Sequence, residues 1–237
     1  MAFPSYTKVW HDDVYDDIKA TRPELSAKGK VVVITGGGSG IGAATVETFA
    51  LAGAAHIFVL GRTEKKLRDT QTKVEAKCAS TNVTPLVADV SNSLSINNAF
   101  NTIAETGKIN VFVNNAAYLS DIGPIATASE SEWWRASEVN TLGSFNATRN
   151  FLKNAAPGAV LVNVSSAAAH VSRPGHSAYS VSKLGAAKLF EYIQIEHPDL
   201  NIFNMQPGVV PSTEMAIKSK TQSGLNFTRP DAGKFYL

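Results

Sequence analysis

Val31-Val32-Val33-Ile34-Thr35-Gly36-Gly37-Gly38-Ser39-Gly40-Ile41-Gly42 is the stretch on which the fold turns. Four consecutive β-branched apolar residues suit a strand covered on both faces, since a half-exposed strand would alternate with polar residues. The glycines that follow make a turn. Beyond them Gly42, Val46, Phe49, Ala50 and Gly53 fall on one helical stripe, whose small members allow close packing onto a sheet. Gly42 therefore has a packing reason. A strand, a glycine turn and a helix in that order open a βαβ unit.

The same alternation continues along the chain. Strands are expected at Val31 to Thr35, His56 to Leu60, Thr84 to Ala88, Val111 to Asn114, Val160 to Val164 and Ile202 to Met205, with helical segments between them. The expected class is α/β, a single domain built on a six-stranded parallel sheet. Ser129 and Glu132 form a capping box that starts a helix running to about Asn154, and Pro157-Gly158 closes the connection to the next strand. Residues 1 to 29 do not fit the pattern. They read as an extension carrying Trp10 and the acids Asp12, Asp13, Asp16 and Asp17. His11 beside those acids lacks a compact ligand spacing, so a solvated face is expected there and no metal site.

Composition narrows the function classes. With 237 residues and 44% hydrophobic content the chain can bury one sizeable core. Its 22 basic and 20 acidic residues are nearly balanced and form no Lys/Arg stripe, which argues against nucleic acid as a partner. No stretch approaches the roughly 18 apolar residues of a membrane span, and no signal-like apolar core stands near the start. The one cysteine, Cys78, cannot form an internal disulfide. A soluble cytoplasmic protein is the expectation.

The turn at 36–42 joins a strand to a helix, where backbone N–H groups and the helix dipole favour a pyrophosphate. Gly36, Ser39, Gly40, Ile41 and Gly42 are its candidate dinucleotide-binding residues, and Gly38, Gly40 and Ala43 satisfy the G-x-G-x-x-G/A pattern. That pattern expects an acid after the second strand, but Gly61-Arg62 stands there. A guanidinium can pair with a 2′-phosphate, so NADP(H) is expected over NAD(H), with Lys66 one turn on as a second cation. Asp89 lies at the carboxyl edge of the third strand, placed either to accept from an adenine amine or to cap the next helix. Asn114-Asn115-Ala116-Ala117 ends the fourth strand on that edge, and Asn115 is a further cofactor candidate.

Ser166 and Tyr179 lie thirteen positions apart, and Lys183 follows Tyr179 by one helical turn. Residues four apart share a helix face, so the phenol and the amine would project together, and a nearby cation would lower the phenol's pKa from about 10. Tyr15 and Lys19 have the same spacing with no glycine turn or polar strand end in their company. Asn140, inside the long helix, is either solvent-facing or functional.

Together these residues resemble the short-chain dehydrogenase/reductase family, in its compact NAD(P)-dependent branch and with similarity to filamentous-fungal members. The resemblance covers about Lys30 to Met215 and rests on Thr-Gly-x-x-x-Gly-x-Gly at 35–42, Asp89, Asn-Asn-Ala at 114–116, Asn140, Ser166, Tyr179, Lys183 and Pro207-Gly208. It implies a Rossmann-type doubly wound sheet and interconversion of a ketone and a secondary alcohol on a small molecule, with a secondary-metabolite intermediate as an expected substrate. Tyr179 would be the general acid or base, Ser166 rather than Ser165 would hold the substrate oxygen, Lys183 would bind the nicotinamide ribose, and Asn140 would hold a relay water. Val210 and Thr213, with Ser212 as the rival, would contact the nicotinamide. His170, His176 and Tyr118 are candidates for the pocket wall.

The resemblance divides the chain into an extension at 1–29, the catalytic domain at 30–215 and a short segment at 216–237. Relatives continue through a seventh strand after this point, so the sheet is expected to stop at six. Relatives also form homo-oligomers through the helices carrying Asn140 and Tyr179. The short tail supports a second reading, a non-catalytic dinucleotide-binding or interaction protein.

Overall fold

A computed structural model describes residues 14–223. Trp10, His11, Asp12 and Asp13 lie outside them. Six strands form one parallel sheet: β1 (Val31–Thr35), β2 (His56–Gly61), β3 (Asn82–Val87), β4 (Ile109–Asn114), β5 (Ala155–Val164) and β6 (Asn201–Met205). Their spatial order is β3-β2-β1-β4-β5-β6. The chain thus winds outward from β1 in one direction, returns, and winds outward from β4 in the other. Ligands of open α/β sheets bind where the order reverses, beyond the carboxyl ends of β1 and β4.

Helices α1 (Gly40–Leu51), α2 (Glu64–Glu75), α3 (Ser93–Ala104), α4 (Glu130–Ser137), α5 (Gly143–Asn154) and α6 (Ser177–Glu196) alternate with the strands, and α7 (Glu214–Ser223) follows β6. Strand pleating sends alternate residues to opposite faces. Val32, Ile34, Ile57, Val59 and Val113 join Val46 and Ala50 of α1 and Leu67 and Val74 of α2 in one core. Val33, Phe58, Phe112 and Leu161 join Phe100 of α3, Phe151 of α5 and Phe190 of α6 in the other. In that second core Phe112 meets Phe100 edge-on at 5.9 Å and Phe151 at 5.4 Å. Both faces of the sheet are covered, as the uninterrupted apolar run of β1 requires.

Three sequence expectations change. Gly53 is not on the α1 stripe; it follows the helix at φ +86°, a conformation that stops a helix and that glycine adopts without strain. Pro157 and Gly158 do not end a loop but lie inside β5, where the pairing with β4 shifts register, and a bulge is where a strand tolerates proline. The helix expected from Ser129 to Asn154 is interrupted by a π-helical turn at Glu138–Leu142, with Asn140 at its centre. Ser129 caps its start as expected, accepting from the Glu132 amide.

Part of the extension is seated on the domain. Ala27 is buried in the core of α1 and α2, its amide bonds Ala52, and Lys28 bridges Ala54. Asp16 pairs with Lys19 and Asp17 with Arg22.

Candidate active site

The carboxyl ends of the strands open into a cleft of about 570 Å³. Thr35 organises its floor. The Thr35 hydroxyl accepts from the amides of Asn115 and Ala116, tying the end of β1 to the end of β4. The Asn115 side chain donates to Thr35 O and Gly36 O, so it props the glycine turn from beneath. Two glycines are indispensable there. Gly36 has φ +69°, and a Cβ on Gly42 would stand 2.2 Å from Gly36 O. Gly42 accordingly packs behind the turn and does not line the cleft, whereas Gly36, Ser39, Gly40 and Ile41 do.

The turn fits a dinucleotide. Ser39 precedes α1 without its side chain capping the helix, so the amides that open α1 at the cleft wall receive no oxygen from it. Such amides and the helix dipole suit a pyrophosphate. Arg62, Lys66 and Asp89 line the same end of the cleft. Asp89 does not cap α3, a task taken by Asn92, which accepts from Ser95 N. Asp89 accepts instead from the amide and hydroxyl of Ser91, with Arg135 3.7 Å away. Burial works against its charge, but the Ser91 bonds and the charges of Arg62 and Arg135 outweigh it and hold the carboxyl below its ordinary value. Lys66 is already engaged, with its Nζ 2.5 Å from Glu214 of α7.

At the other end stand Ser166, just beyond β5, and Tyr179 and Lys183 of α6, all three on the cleft wall. Lys183 is buried, and its Nζ lies 5.9 Å from the Tyr179 ring centre and donates to Val164 O at 2.8 Å. Burial lowers the amine to a pKa of about 8. The expectation that Lys183 depresses the phenol is not met in the protein alone. Burial pushes Tyr179 up to about 12, and the hydrogen bond with Ser166 only partly opposes it. Ser165 and Ser166 both line the cleft, and of the two Ser166 is the one that acts on the phenol.

Asn140 is 1% exposed, so its position is not solvent-facing. Its Oδ1 accepts from Tyr118 N at 2.7 Å, and its Nδ2 donates to Tyr118 O and to Ser182 Oγ, each at 2.9 Å. Ser182 Oγ in turn donates to Tyr179 O. The π turn thus sets an asparagine between the loop after β4 and the helix of Tyr179. π-turns often occur at functional positions. Both Nδ2 hydrogens are committed, so a relay water would have to use oxygen on Asn140.

The remaining predicted residues divide. Val210 and Thr213 line the cleft, and Ser212 does not. The Thr213 hydroxyl, however, donates to Val210 O and accepts from Ala216 N, so it caps α7. Tyr118 and His176 line the wall, while His170 does not. The Tyr118 hydroxyl donates to Glu132 at 2.5 Å, and burial with that carboxylate raises its pKa to about 12.

Two participants, Asn163 and Asn204, were not singled out from the sequence. With Asn114 they stand in register on β4, β5 and β6 and pass amide bonds from strand to strand, from Asn114 to Asn163 at 3.0 Å and from Asn163 to Asn204 at 2.8 Å. Asn114 also donates to Ser144, which donates to Asn140 O. The recurring Asn, at the end of β4 and one residue before the ends of β5 and β6, was the available signal.

The fold has known relatives. The family model for short chain dehydrogenases matches residues 30–224. The short chain dehydrogenase pigC of Monascus ruber is 34% identical over 217 residues, covering 88% of this chain and 71% of that one. An alcohol dehydrogenase from the archaeon Thermococcus sibiricus, complexed with 5-hydroxy-NADP, superposes with a TM-score of 0.73 at 27% identity over 80% of each chain. A short chain dehydrogenase/reductase from Burkholderia phymatum in complex with NAD gives 0.75 at 27%, covering 86% of this chain and 74% of that one. Topology, glycine turn and matched span converge on one conclusion: the chain belongs to the short-chain dehydrogenase/reductase family of NAD(P)-dependent oxidoreductases.

Proposed function

We propose that the protein is an NADP(H)-preferring oxidoreductase that interconverts a ketone and a secondary alcohol on a small organic molecule, with Tyr179 as general acid and base. The observation that carries this reading is the meeting of Ser166, Tyr179 and Lys183 on one wall of the cleft whose opposite end holds the glycine turn and Arg62. Bound NADPH supplies the hydride. Ser166 holds the substrate oxygen, and Tyr179 donates its proton to that oxygen as negative charge develops there. In the protein alone the phenol is protonated, the form that donates in the reducing direction. Lys183, anchored on Val164 O, retains two N–H groups for the nicotinamide ribose.

Asn140 serves as a positioning residue, fixing Tyr118 and, through Ser182, the first turns of α6. Arg62 meets the 2′-phosphate, and Asp89 meets the adenine amine. The substrate class is a secondary-metabolite intermediate, a reading that rests on the resemblance to filamentous-fungal members. Residues 30–215 hold the catalytic apparatus, with 1–29 an extension and 216–237 a short carboxyl segment. Val181, Leu184, Tyr192 and Ile195 are exposed along α6, and Leu142 and Phe145 along the neighbouring helix, an apolar face that suits a second copy of the chain. We place the protein in the cytoplasm; no described helix is long and apolar enough to cross a membrane.

The test is NADPH oxidation with a panel of ketones. The wild type should turn over at least one of them and Tyr179→Phe none; equal rates would remove the assignment of Tyr179. Arg62→Ala should weaken NADPH about tenfold or more relative to NADH. An unchanged ratio would remove the NADP preference.

A further inference from the structure

The helix α7 is tied to both banks of the cleft. On one bank its first residue, Glu214, reaches Lys66 of α2 at 2.5 Å. On the other, Lys218 pairs with Asp121 at 3.0 Å and donates to Leu119 O at 2.9 Å. Gln222 also bonds there, donating to Asp121 and accepting from Ile122 N. The start of α7 lies directly over the glycine turn, since a Cβ on Gly40 would come within 3.2 Å of Thr213 Cγ2. Lys66 stands beside the same turn, its Cβ 3.1 Å from where a Cβ on Gly38 would be.

Lys66 thus has two claimants. Among the described residues, Arg62 and Lys66 are the cations that line the cleft at its adenosine end, and the reading above gives that end a 2′-phosphate. Arg62 lies close enough to Asp89 to help hold its carboxyl in the charged form. Lys66 is held by Glu214, a partner largely exposed to water, and exposed ion pairs are readily exchanged. A phosphate monoester carries about −1.5 to −2 charges and three acceptor oxygens, against one charge on a carboxylate. It would therefore take the lysine, and the carboxylate left beside it would repel it.

We propose that Glu214 is a specificity-determining residue that competes with the cofactor's 2′-phosphate for Lys66, so that a 2′-phosphorylated dinucleotide, unlike an unphosphorylated one, releases the first turn of α7 from α2. The proposal rests on the NADP reading. It adds that Lys66 is not a simple second cation: until it is exchanged, its charge is neutralised by the segment that closes over the cofactor. The contacts of Lys218 and Gln222 are untouched by the exchange, so α7 stays attached by its other bank and only its beginning is freed.

The test uses adenosine 2′,5′-bisphosphate and 5′-AMP, which differ only in the 2′-phosphate, titrated calorimetrically into the wild type, Glu214→Gln, Lys66→Gln and the double variant. Glu214→Gln should tighten the bisphosphate about two- to fivefold and leave 5′-AMP unchanged, and the gain should vanish when Lys66 is also replaced. In the wild type, saturating bisphosphate should speed amide exchange over residues 214–217 relative to saturating 5′-AMP. An equal effect on both ligands, a gain that persists without Lys66, or identical exchange would overturn the proposal. Failure of the underlying reading looks different: the wild type would then bind the two ligands equally, and Arg62→Ala would leave them so. A bisphosphate preference that depends on Arg62 but ignores Glu214 would overturn the competition alone.

Discussion

Tyr15–Lys19 and Tyr179–Lys183 share a spacing and nothing else. The first pair flanks a short 3₁₀ turn of the extension, with Lys19 exposed and paired with Asp16. The second lies on α6, and its walls dehydrate both groups far enough to move the phenol to about 12 and the amine to about 8. The difference teaches that a four-residue interval only aligns two groups on one face. Chemistry requires that the face be buried, and burial is a property of what packs over it.

The widest separation between the two pairs should be in catalysis. Tyr179→Phe is expected to lower ketone reduction by about 10²- to 10⁴-fold, the range of general acid catalysis, while Tyr15→Phe leaves the rate unchanged. Comparable losses in steady-state assays would erase the distinction.

A smaller effect is expected from the framework that holds the second pair. Asn140→Ala removes three hydrogen bonds and leaves the part-buried backbone groups of Tyr118 without these partners, a loss of about 2–4 kcal/mol. Denaturant melts would show it. A shift below about 0.5 kcal/mol would mean that α6 is positioned by other contacts.

The pH dependence of stability sharpens the contrast further. Lys183 has a folded pKa of about 8 against 10.5 for the free side chain. Between these values the unfolded chain binds a proton that the folded chain does not, so stability rises with pH across that window. Below about pH 8 both states are protonated, and the full burden of burying the charge, up to about 3 kcal/mol, is felt. The stability advantage of Lys183→Met over the wild type should therefore shrink as pH rises from 8 toward 10. A difference independent of pH would show that the amine is not desolvated. Tyr179 acts in the opposite sense, since its folded pKa is raised, but only above about pH 10. At the small end, Lys19→Ala should leave the melting temperature unchanged, and its pairing with Asp16 should matter least at high salt.

Much of this architecture was legible in the residues. All six strands were located within a few positions, because apolar β-branched runs flanked by helices leave little choice of element or layer. The largest boundary error, at β5, came from reading Pro157-Gly158 as a loop, when a register shift against β4 accommodates both inside the strand. The cleft lining was legible to the same degree: Gly36, Arg62, Asp89, Ser166, Tyr179 and Lys183 all arrive there. Thr213 was read as a ligand contact, but its hydroxyl caps α7. The sequence could not distinguish these uses, because the same hydroxyl serves either one.

The sequence by itself determined the kind of protein this is: the βαβ order, the glycine turn that tolerates no side chain at Gly42, and the residue types of the catalytic wall. These follow from local sterics and from spacing along one strand or helix. Tertiary structure alone decided which charges are free to act. It buried Lys183, raised Tyr179 in place of lowering it, turned Asn140 inward through a π turn, and set Glu214 against Lys66 from 148 positions away. Desolvation and long-range pairing depend on distances between segments that no local pattern encodes.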